Sequence, residues 1–382
     1  MRKAIYALSG DPIHKGHVDI VRRVTQVFDE VVVGIGVNPE KSCLFSLEER
    51  VEMARRSLSQ IPQAVVIAFE GLLVDYAYEQ GIHVIVKGVR NANDFDYENI
   101  LHVVGESQEL GVDTYVLFAR PELMHVSSSV IKALQKEEGF IHQYVPLYVK
   151  QCLEARVSGQ YILGVTGETG SGKSRVSEGF MKQAEARNIP VHTIELDDLG
   201  NQILEERQEP SYLQVRERVA EEFGEAVRNP DGTINRKNLG EIVYQGVERL
   251  SKLNQIMERA VMVRLRRELR RKRGLVLLNG ALIAESNLTH LCNNNIVLVT
   301  CDKGSQERRL RERGFNKRQI GRRLASQYSE KEKKNKIQSG IEAENHGRLW
   351  ILDNSNTGSE KRVGDAFEEI IRHFDLQDQS PR

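Results

Sequence analysis

Two short segments carry residue types that could act on phosphate groups. The first is Asp11-Pro12-Ile13-His14-Lys15-Gly16-His17, which directly follows an apolar run and holds two histidines around a glycine. Imidazole N–H groups and the backbone N–H groups of a helix start can donate to phosphate oxygens, so this segment suits a triphosphate. His17 could stabilise charge that builds on a transferring phosphoryl group without taking a proton. Either histidine could instead only cap the helix that follows.

The second segment, Gly167-Glu168-Thr169-Gly170-Ser171-Gly172-Lys173-Ser174, is a complete G-x-x-x-x-G-K-S phosphate loop. An apolar strand is predicted before it at Tyr161–Val165 and a helix behind it at Lys173–Ala186, which is the context that this motif requires. Lys173 is expected to reach the β- and γ-phosphates and Ser174 to ligate Mg²⁺. The predicted nucleotide-binding residues of this segment are Gly170, Ser171, Gly172, Lys173, Ser174 and Arg175.

A carboxylate follows the next predicted strand, in Ile194-Glu195-Leu196-Asp197-Asp198-Leu199. In a small-molecule kinase, a carboxylate at this place lies beside the γ-phosphate and can accept a hydroxyl proton. Asp is also a frequent N-cap, and spacing alone leaves both interpretations of Asp197 open.

Length and composition predict a two-domain globular enzyme. The chain has 382 residues, 40% of them hydrophobic and 28% charged, and its net charge is zero, so no bulk attraction to nucleic acid or membrane is expected. A basic run at Arg264–Arg273 could bind nucleic acid, but a solvated helix face is the favoured interpretation. Four cysteines without a regular spacing suit reduced thiols, and the apolar run at Ala4–Leu8 is too short for a signal peptide. A cytoplasmic location is therefore expected.

Apolar runs alternate with helical patterns in both halves of the chain, which predicts two α/β domains with parallel sheets. The strands expected in the first half are Ala4–Leu8, Val31–Val37, Val65–Phe69, Val84–Val86 and Thr114–Phe118, with helices at Gly16–Phe28, Ser46–Leu58, Leu72–Gln80 and Phe95–Ser107. The further strands expected in the second half are Val191–Glu195, Gly274–Leu278, Ile296–Thr300 and Leu349–Leu352. A short polar linker at Arg156–Gln160 predicts domains at 1–157 and 158–374, followed by a disordered tail at 375–382.

Four ordered blocks of the first domain resemble phosphopantetheine adenylyltransferase of the nucleotidyltransferase superfamily. They are Ala4–Val21 with Asp11-Pro12 and Gly16-His17, Asn38–Lys41 followed by Phe45–Val51, Lys87–Arg90 through Asp94–Glu98, and Val126–Ser129. The resemblance implies a Rossmann-like domain with an H-x-G-H site. It also implies transfer of AMP from ATP to 4′-phosphopantetheine, which releases pyrophosphate and makes dephospho-coenzyme A.

This resemblance assigns residues to roles in adenylyl transfer. His17 would stabilise the transferring phosphoryl group, and Lys41 would bind substrate phosphate. ATP contacts are implied for Ser9, Gly10, His17, Gly88, Val89, Arg90, Glu98, Ser127, Ser128 and Ser129, and acceptor contacts for Ser9, Lys41, Leu73 and Lys87. Since the acceptor is already a phosphate, positioning and charge neutralisation suffice without a general base.

The second domain resembles dephospho-CoA kinase. Its matching blocks are Thr166–Ser174, Asp197 as the second carboxylate of D-x-D with Glu195 as the first, Asp231–Leu239, Gln306–Arg313, Leu324–Gln327 and Asp353–Ser355. The resemblance implies phosphorylation of the ribose 3′-hydroxyl of dephospho-coenzyme A by ATP, with Asp197 as the proton acceptor. Arg309 and Arg313, four residues apart on one helix face, would fold over the polyphosphate when a lid closes.

Together the two resemblances imply a bifunctional enzyme for the last two steps of coenzyme A synthesis, in which each domain uses Mg²⁺ and ATP. Self-association through the N-terminal domain is a further expectation. Several residues depart from the families' patterns on the acceptor side, among them Lys87, Gly105 and Met257-Glu258-Arg259. An adenylyltransferase for another phosphorylated acceptor, joined to a different or inactive P-loop kinase that serves as a nucleotide-binding module, therefore stays open.

Overall fold

Alternating strands and helices build two parallel five-stranded sheets, one in each unit of the computed structural model. The structure describes residues 1–37, 42–355 and 358–376. Its two compact units are Met1–Leu153 and Glu154–Arg382. The predicted α/β class with two parallel sheets is confirmed.

The sheet of the N-terminal unit has the order β3-β2-β1-β4-β5, with every neighbouring pair parallel. Its strands are β1 Lys3–Leu8, β2 Glu30–Gly36, β3 Ala64–Phe69, β4 Val84–Val89 and β5 Asp113–Phe118. Its helices are α1 Lys15–Val24, α2 Leu47–Leu58, α3 Leu73–Glu79, α4 Ala92–Glu106, α5 Ser128–Lys136 and α6 Leu147–Leu153. The strand order reverses between β1 and β4, so a crevice opens at their carboxyl ends, where ligands bind in such sheets.

Local sequence signals start the helices of this unit. Ser46 caps α2 through the predicted capping box, because its hydroxyl accepts from Glu49 N while the Glu49 carboxylate accepts from Ser46 N. The fourth helix differs from the others, since α4 has no buried residue. Its apolar spacing predicts a packed face, yet Phe95, Ile100 and Val103 are exposed.

The sheet of the C-terminal unit has the order β10-β9-β6-β8-β7, again with parallel neighbours. Its strands are β6 Gln160–Thr166, β7 Val191–Glu195, β8 Gly274–Asn279, β9 Asn295–Thr300 and β10 Arg348–Asp353. Its helices are α7 Lys173–Glu185, α8 Leu196–Asn201, α9 Pro210–Phe223, α10 Arg236–Val243, α11 Val247–Leu269, α12 Lys303–Glu312, α13 Lys317–Ala325, α14 Glu330–Glu344 and α15 Ser359–His373.

In the described residues of this unit, two apolar cores support the fold. One packs α7 and α15 on the sheet and includes Phe180, Leu277 and Phe367. The other lies among α9, α10, α11 and the turn at Gln202–Glu206, and it includes Tyr212, Leu239 and Met257. Because the helical core stands apart from the sheet core, a wide pocket can form between the helices and the carboxyl ends of the strands.

Two details of the predicted organisation need correction. The expected linker at Arg156–Gln160 is not irregular: Glu154–Ser158 forms a π-helical turn, and Gln160 already belongs to β6. The buried carboxylate of Glu154 accepts from Asn293, which explains why this turn belongs to the C-terminal unit. The tail predicted from 375 begins too early, since Leu376 is buried in the sheet core; residues 377–382 lie outside the described part.

Within the described residues, every helix is too short or too polar to cross a membrane.

Candidate active sites

The first site is a cleft of about 810 Å³ at the carboxyl ends of β1 and β4. Its lining includes the two histidines of the H-x-G-H segment, which lie at the start of α1. Their rings stack with centroids 3.6 Å apart, and the backbone N–H of His14 donates to Nδ1 of His17 across 3.3 Å. Since Nδ1 accepts this hydrogen bond, the ring proton of neutral His17 lies on Nε2, which is left as a donor.

Burial keeps both imidazoles neutral. It lowers the pKa of His14 to about 3, with a smaller effect from the charge of Arg90. It also lowers the pKa of His17 well below 6.5, assisted by His14 and Arg90. A neutral His17 can donate a hydrogen bond to a phosphate oxygen, but it is a poor proton acceptor at neutral pH. Helix capping and phosphate binding, which the sequence left as alternatives, are compatible here because capping engages only one ring nitrogen.

Arg90 is held at the end of β4 by a two-pronged ion pair. Its Nε and NH2 groups lie 2.7 and 3.0 Å from the two carboxylate oxygens of Asp94, and NH1 donates to Val126 O at 3.2 Å. The hydrogen bond from Arg90 holds the pKa of Asp94 below its usual value. The guanidinium is therefore fixed at the cleft wall before any substrate arrives.

A second ion pair joins two predicted site residues, since Lys87 Nζ on β4 lies 2.7 Å from Glu98 on α4. A third involves residues that sequence reasoning did not select for the site. Asp11 is 6% exposed and accepts from Lys132 Nζ at 2.6 Å and from the backbone of Leu44 and Phe45. Burial alone would raise the pKa of Asp11, but these hydrogen bonds lower it overall.

Some of the other residues predicted for this site line the cleft, and others do not. Ser9, Leu73, Gly88 and Ser127 to Ser129 line the cleft. Ser127 caps α5 by accepting from Val130 N, and Ser128 donates to Pro12 O at 2.9 Å. Gly10 and Val89 are buried and do not line the cleft. Lys41 lies outside the described residues, so its role stays a prediction.

The second site is built on the phosphate loop between β6 and α7. Gly172, with φ +94°, caps α7, and a β-carbon there would lie 2.0 Å from Nδ2 of Asn354. That amide donates to Ser171 O at 3.0 Å, so only glycine fits at 172. Lys173 Nζ donates to Gly167 O at 3.1 Å. Burial lowers the pKa of Lys173 to about 8, although the negative charge of Asp197 acts in the opposite direction. Ser174 and Arg175 are exposed beside it.

Asp197 lies in the first turn of α8, where the residue at the N-cap position is Glu195. Desolvation by its surroundings raises the pKa of Asp197; Lys173 opposes this shift and Asp198 adds to it. Glu195 accepts from Asn279, which in turn accepts from Ser177. Asp197 is thus not the N-cap, which removes one of the two interpretations that the sequence left open.

Asp197 lines a pocket of about 890 Å³. The lining includes the polar residues Thr169, Arg236 and Gln327, and also the apolar residues Leu250, Met257, Val261 and Leu282. The pocket can therefore hold an acceptor that has both polar and apolar parts.

The two arginines that were expected to form a lid, Arg309 and Arg313, have different surroundings. Arg309 donates to Ser171 O at 2.9 Å and to Asn354 O at 2.6 Å. Its guanidinium therefore stabilises the backbone of the phosphate loop. Arg313 is exposed at the end of α12. Sequence reasoning missed the loop's own side-chain contacts: Glu168 accepts from Gln306 Nε2 and from Glu330 N, and Thr169 donates to Gln327.

Comparisons with known proteins match two parts of the chain to two families. Residues 9–134 match the cytidylyltransferase-like family model, and residues 161–348 match the dephospho-CoA kinase family model. The fold and sites therefore define a nucleotidyltransferase domain joined to a P-loop kinase domain.

Curated relatives narrow the first domain further. The chain is 45% identical over 134 residues to phosphopantetheine adenylyltransferase of Symbiobacterium thermophilum, covering 35% of this chain and 83% of the relative. It is 42% identical over 146 residues to that of Clostridium tetani, covering 38% and 91%. The chain belongs to the phosphopantetheine adenylyltransferase family and carries in addition a dephospho-CoA kinase domain.

A crystal structure of TT1252 from Thermus thermophilus aligns with 56% of this chain and 97% of its own, at 24% identity and a TM-score of 0.42.

Proposed function

We propose that this chain converts 4′-phosphopantetheine to coenzyme A in two ATP-dependent steps, one in each unit. The observation that carries the proposal is a contrast between the two sites. In the first cleft, the lining carboxylates of the described residues are all ion-paired: Asp11 with Lys132, Asp94 with Arg90 and Glu98 with Lys87. In the second, Asp197 makes no ion pair within the described chain, and its pKa is raised.

This contrast fits the chemistry of the two acceptors. A phosphate acceptor has no proton to lose at neutral pH, so adenylyl transfer needs donors and cations but no base. A ribose hydroxyl must lose its proton on attack, so phosphoryl transfer to it profits from a nearby carboxylate of raised pKa. The first cleft supplies the donor His17 and fixed cations, and the second supplies Asp197.

In adenylyl transfer, His17 Nε2–H donates to the α-phosphate oxygen that gains charge as the acceptor phosphate attacks and pyrophosphate leaves. Arg90, fixed by Asp94, stabilises the same developing charge, and Ser127 to Ser129 place N–H and hydroxyl groups of the α5 start beside the nucleotide. Lys87 and Lys41 are proposed to hold the acceptor phosphate, and Lys87 would exchange its partner Glu98 for that phosphate.

In phosphoryl transfer, Asp197 accepts the 3′-hydroxyl proton as the oxygen attacks the γ-phosphorus and ADP leaves. Lys173 stabilises the charge on the transferring group, and the N–H groups of 170–174 hold the polyphosphate. Mg²⁺ prefers oxygen ligands, and the exposed Ser174 hydroxyl together with phosphate oxygens fits that preference. The metal would neutralise charge between the phosphates.

Three further proposals concern the whole chain. Exposed apolar residues on α4 and β5, among them Ile100, Val103 and Phe118, support self-association through the N-terminal unit. All four cysteines lie in the described part of the chain as thiols rather than disulfides, which supports a reducing compartment such as the cytoplasm. The third is that the two units are separately folding domains.

The test is incubation of the purified chain with 4′-phosphopantetheine, ATP and Mg²⁺, followed by separation of the products by mass. Coenzyme A is the expected product. Accumulation of dephospho-coenzyme A alone would show an inactive kinase unit, and consumption of neither substrate would point to another acceptor. Supplying dephospho-coenzyme A directly tests the second unit on its own.

A further inference from the structure

Two arginines line the 890 Å³ pocket of the C-terminal unit, and their surroundings differ. Arg236 lies 3.4 Å from the carboxylate of Glu205, so its charge is already matched. Arg323, in the last turn of α13, has no carboxylate partner in the described part of the chain. A guanidinium carries five donors, and one that faces a pocket without a protein acceptor is suited to an anionic ligand.

Aromatic rings hold Arg323 in place instead of a carboxylate. Its Cζ atom lies 4.4 Å from the ring centroid of Tyr244 and 4.3 Å from that of Phe315. Contacts of this kind are attractive, and they take up none of the guanidinium N–H groups in hydrogen bonds to protein acceptors. The side chain is thus pre-organised, which reduces the entropy lost when it binds a ligand.

The three residues come from different parts of the unit. Tyr244 follows α10 and packs against the helical core, whereas Phe315 precedes α13 and Arg323 lies within that helix. The stack therefore fastens α13 to the wall of the pocket. Tyr244 and Arg323 both line the cavity, so this fastening also places the guanidinium at the pocket surface.

We propose that Arg323 binds the diphosphate group of the acceptor, with Tyr244 and Phe315 as positioning residues. This inference rests on the proposed kinase function and identifies the anion site of its acceptor pocket. ATP phosphates have their own donors in Lys173 and the N–H groups of the loop at 170–174, so the charge of Arg323 is left for the second substrate. An acceptor that reacts at Asp197 enters the same cavity that Arg323 lines, so its diphosphate is within the volume that this guanidinium faces.

The test is steady-state kinetics of dephospho-coenzyme A phosphorylation by the full chain, with KM measured for each substrate. Arg323→Gln should raise KM for dephospho-coenzyme A about 10- to 100-fold, as expected for loss of hydrogen bonds to a charged group, and leave KM for ATP within about twofold. Arg323→Lys should recover part of the loss, because it restores charge without the planar fork. Tyr244→Leu and Phe315→Leu should raise the same KM by a smaller factor.

Arg318→Gln is the matched control, since Arg318 is an exposed arginine on the same helix. It should change neither KM. An increase of KM for ATP in Arg323→Gln, or unchanged KM values for both substrates, would overturn the inference. If circular dichroism shows that Arg323→Gln does not fold, Arg323→Lys replaces it in the test. Its KM for dephospho-coenzyme A should then be raised, though less than expected for Gln, while its KM for ATP stays within about twofold. Failure of the wild-type chain to phosphorylate dephospho-coenzyme A would instead refute the proposed function.

Discussion

The backbone N–H of His14 donates to Nδ1 of His17, and this one contact decides which ring nitrogen of His17 can face a substrate. The stacked rings and the surrounding protein keep both imidazoles neutral. A histidine so arranged is a hydrogen-bond donor with a fixed tautomer.

Replacing His17 with Ala should lower the rate of adenylyl transfer by about 10²-fold or more, because the donor to the α-phosphate is lost. The rate is measured as pyrophosphate release from 4′-phosphopantetheine and ATP. Phosphorylation of supplied dephospho-coenzyme A by the same preparation should stay at the wild-type rate. Near wild-type adenylyl transfer would show that His17 only caps α1.

The unfolding free energy should depend on pH through His14. Its pKa is about 3 in the folded chain and near 6.5 when unfolded, so below pH 6.5 the unfolded state binds a proton that the folded state excludes. This burial costs no stability above pH 6.5, and stability is lost as the pH falls toward 3. The loss is about 1.4 kcal/mol per pH unit for one imidazole.

The variant His14→Asn checks this dependence, since Asn is a good N-cap and does not titrate. Chemical denaturation at several pH values between 4 and 8 should give a shallower acid slope for the variant than for the wild type. Identical slopes would mean that His14 takes up a proton in the folded chain.

Asp197→Asn should reduce phosphorylation of dephospho-coenzyme A by about 10²-fold or more, because Asn keeps the size of the side chain but cannot accept the proton. ATP binding, followed by calorimetry, should be nearly unchanged since the loop at 170–174 is untouched. Asp198→Asn is the matched control and should retain most activity. A reversed outcome for the two variants would move the base to Asp198.

Gly172→Ala should abolish most kinase activity while adenylyl transfer continues. The new β-carbon would meet Nδ2 of Asn354 at 2.0 Å, in addition to the cost of about 1–2 kcal/mol for a left-handed backbone. Gly232→Ala separates these effects, because Gly232 also has a positive φ, +82°, with open space around it. Equal kinase losses in both variants would exclude the clash as the cause.

Cutting the chain between the two units should give two fragments that each unfold cooperatively, provided that the cut precedes Glu154. Fragments 1–153 and 154–382 keep the buried contact of Glu154 with Asn293, whereas a cut at 157 removes it. The fragment beginning at 158 should therefore melt at a lower temperature than the fragment beginning at 154. Equal melting temperatures would place the domain boundary where the sequence predicted it.

Local sequence was enough to locate the strands, several helices and the motifs that they carry. Each of the ten strands in the described part of the chain was predicted within a few residues, because a strand of a parallel sheet is a short apolar run that local sequence makes visible. The phosphate loop and the H-x-G-H segment were also visible, since their residues are adjacent in the chain. The resemblances to two families rest on the same local blocks, and the family matches confirm them.

Which charged side chains come into contact depends on how the chain folds. Asp11 and Lys132 are 121 residues apart in sequence, yet Lys132 Nζ lies 2.6 Å from the carboxylate of Asp11. No local sequence pattern predicts that ion pair. Arg309 looked like a mobile lid residue, but packing of α12 against the loop turns it toward backbone carbonyls. Residue types state what a side chain can do. Desolvation and the partners supplied by distant segments decide what it does, and these exist only once the chain has folded.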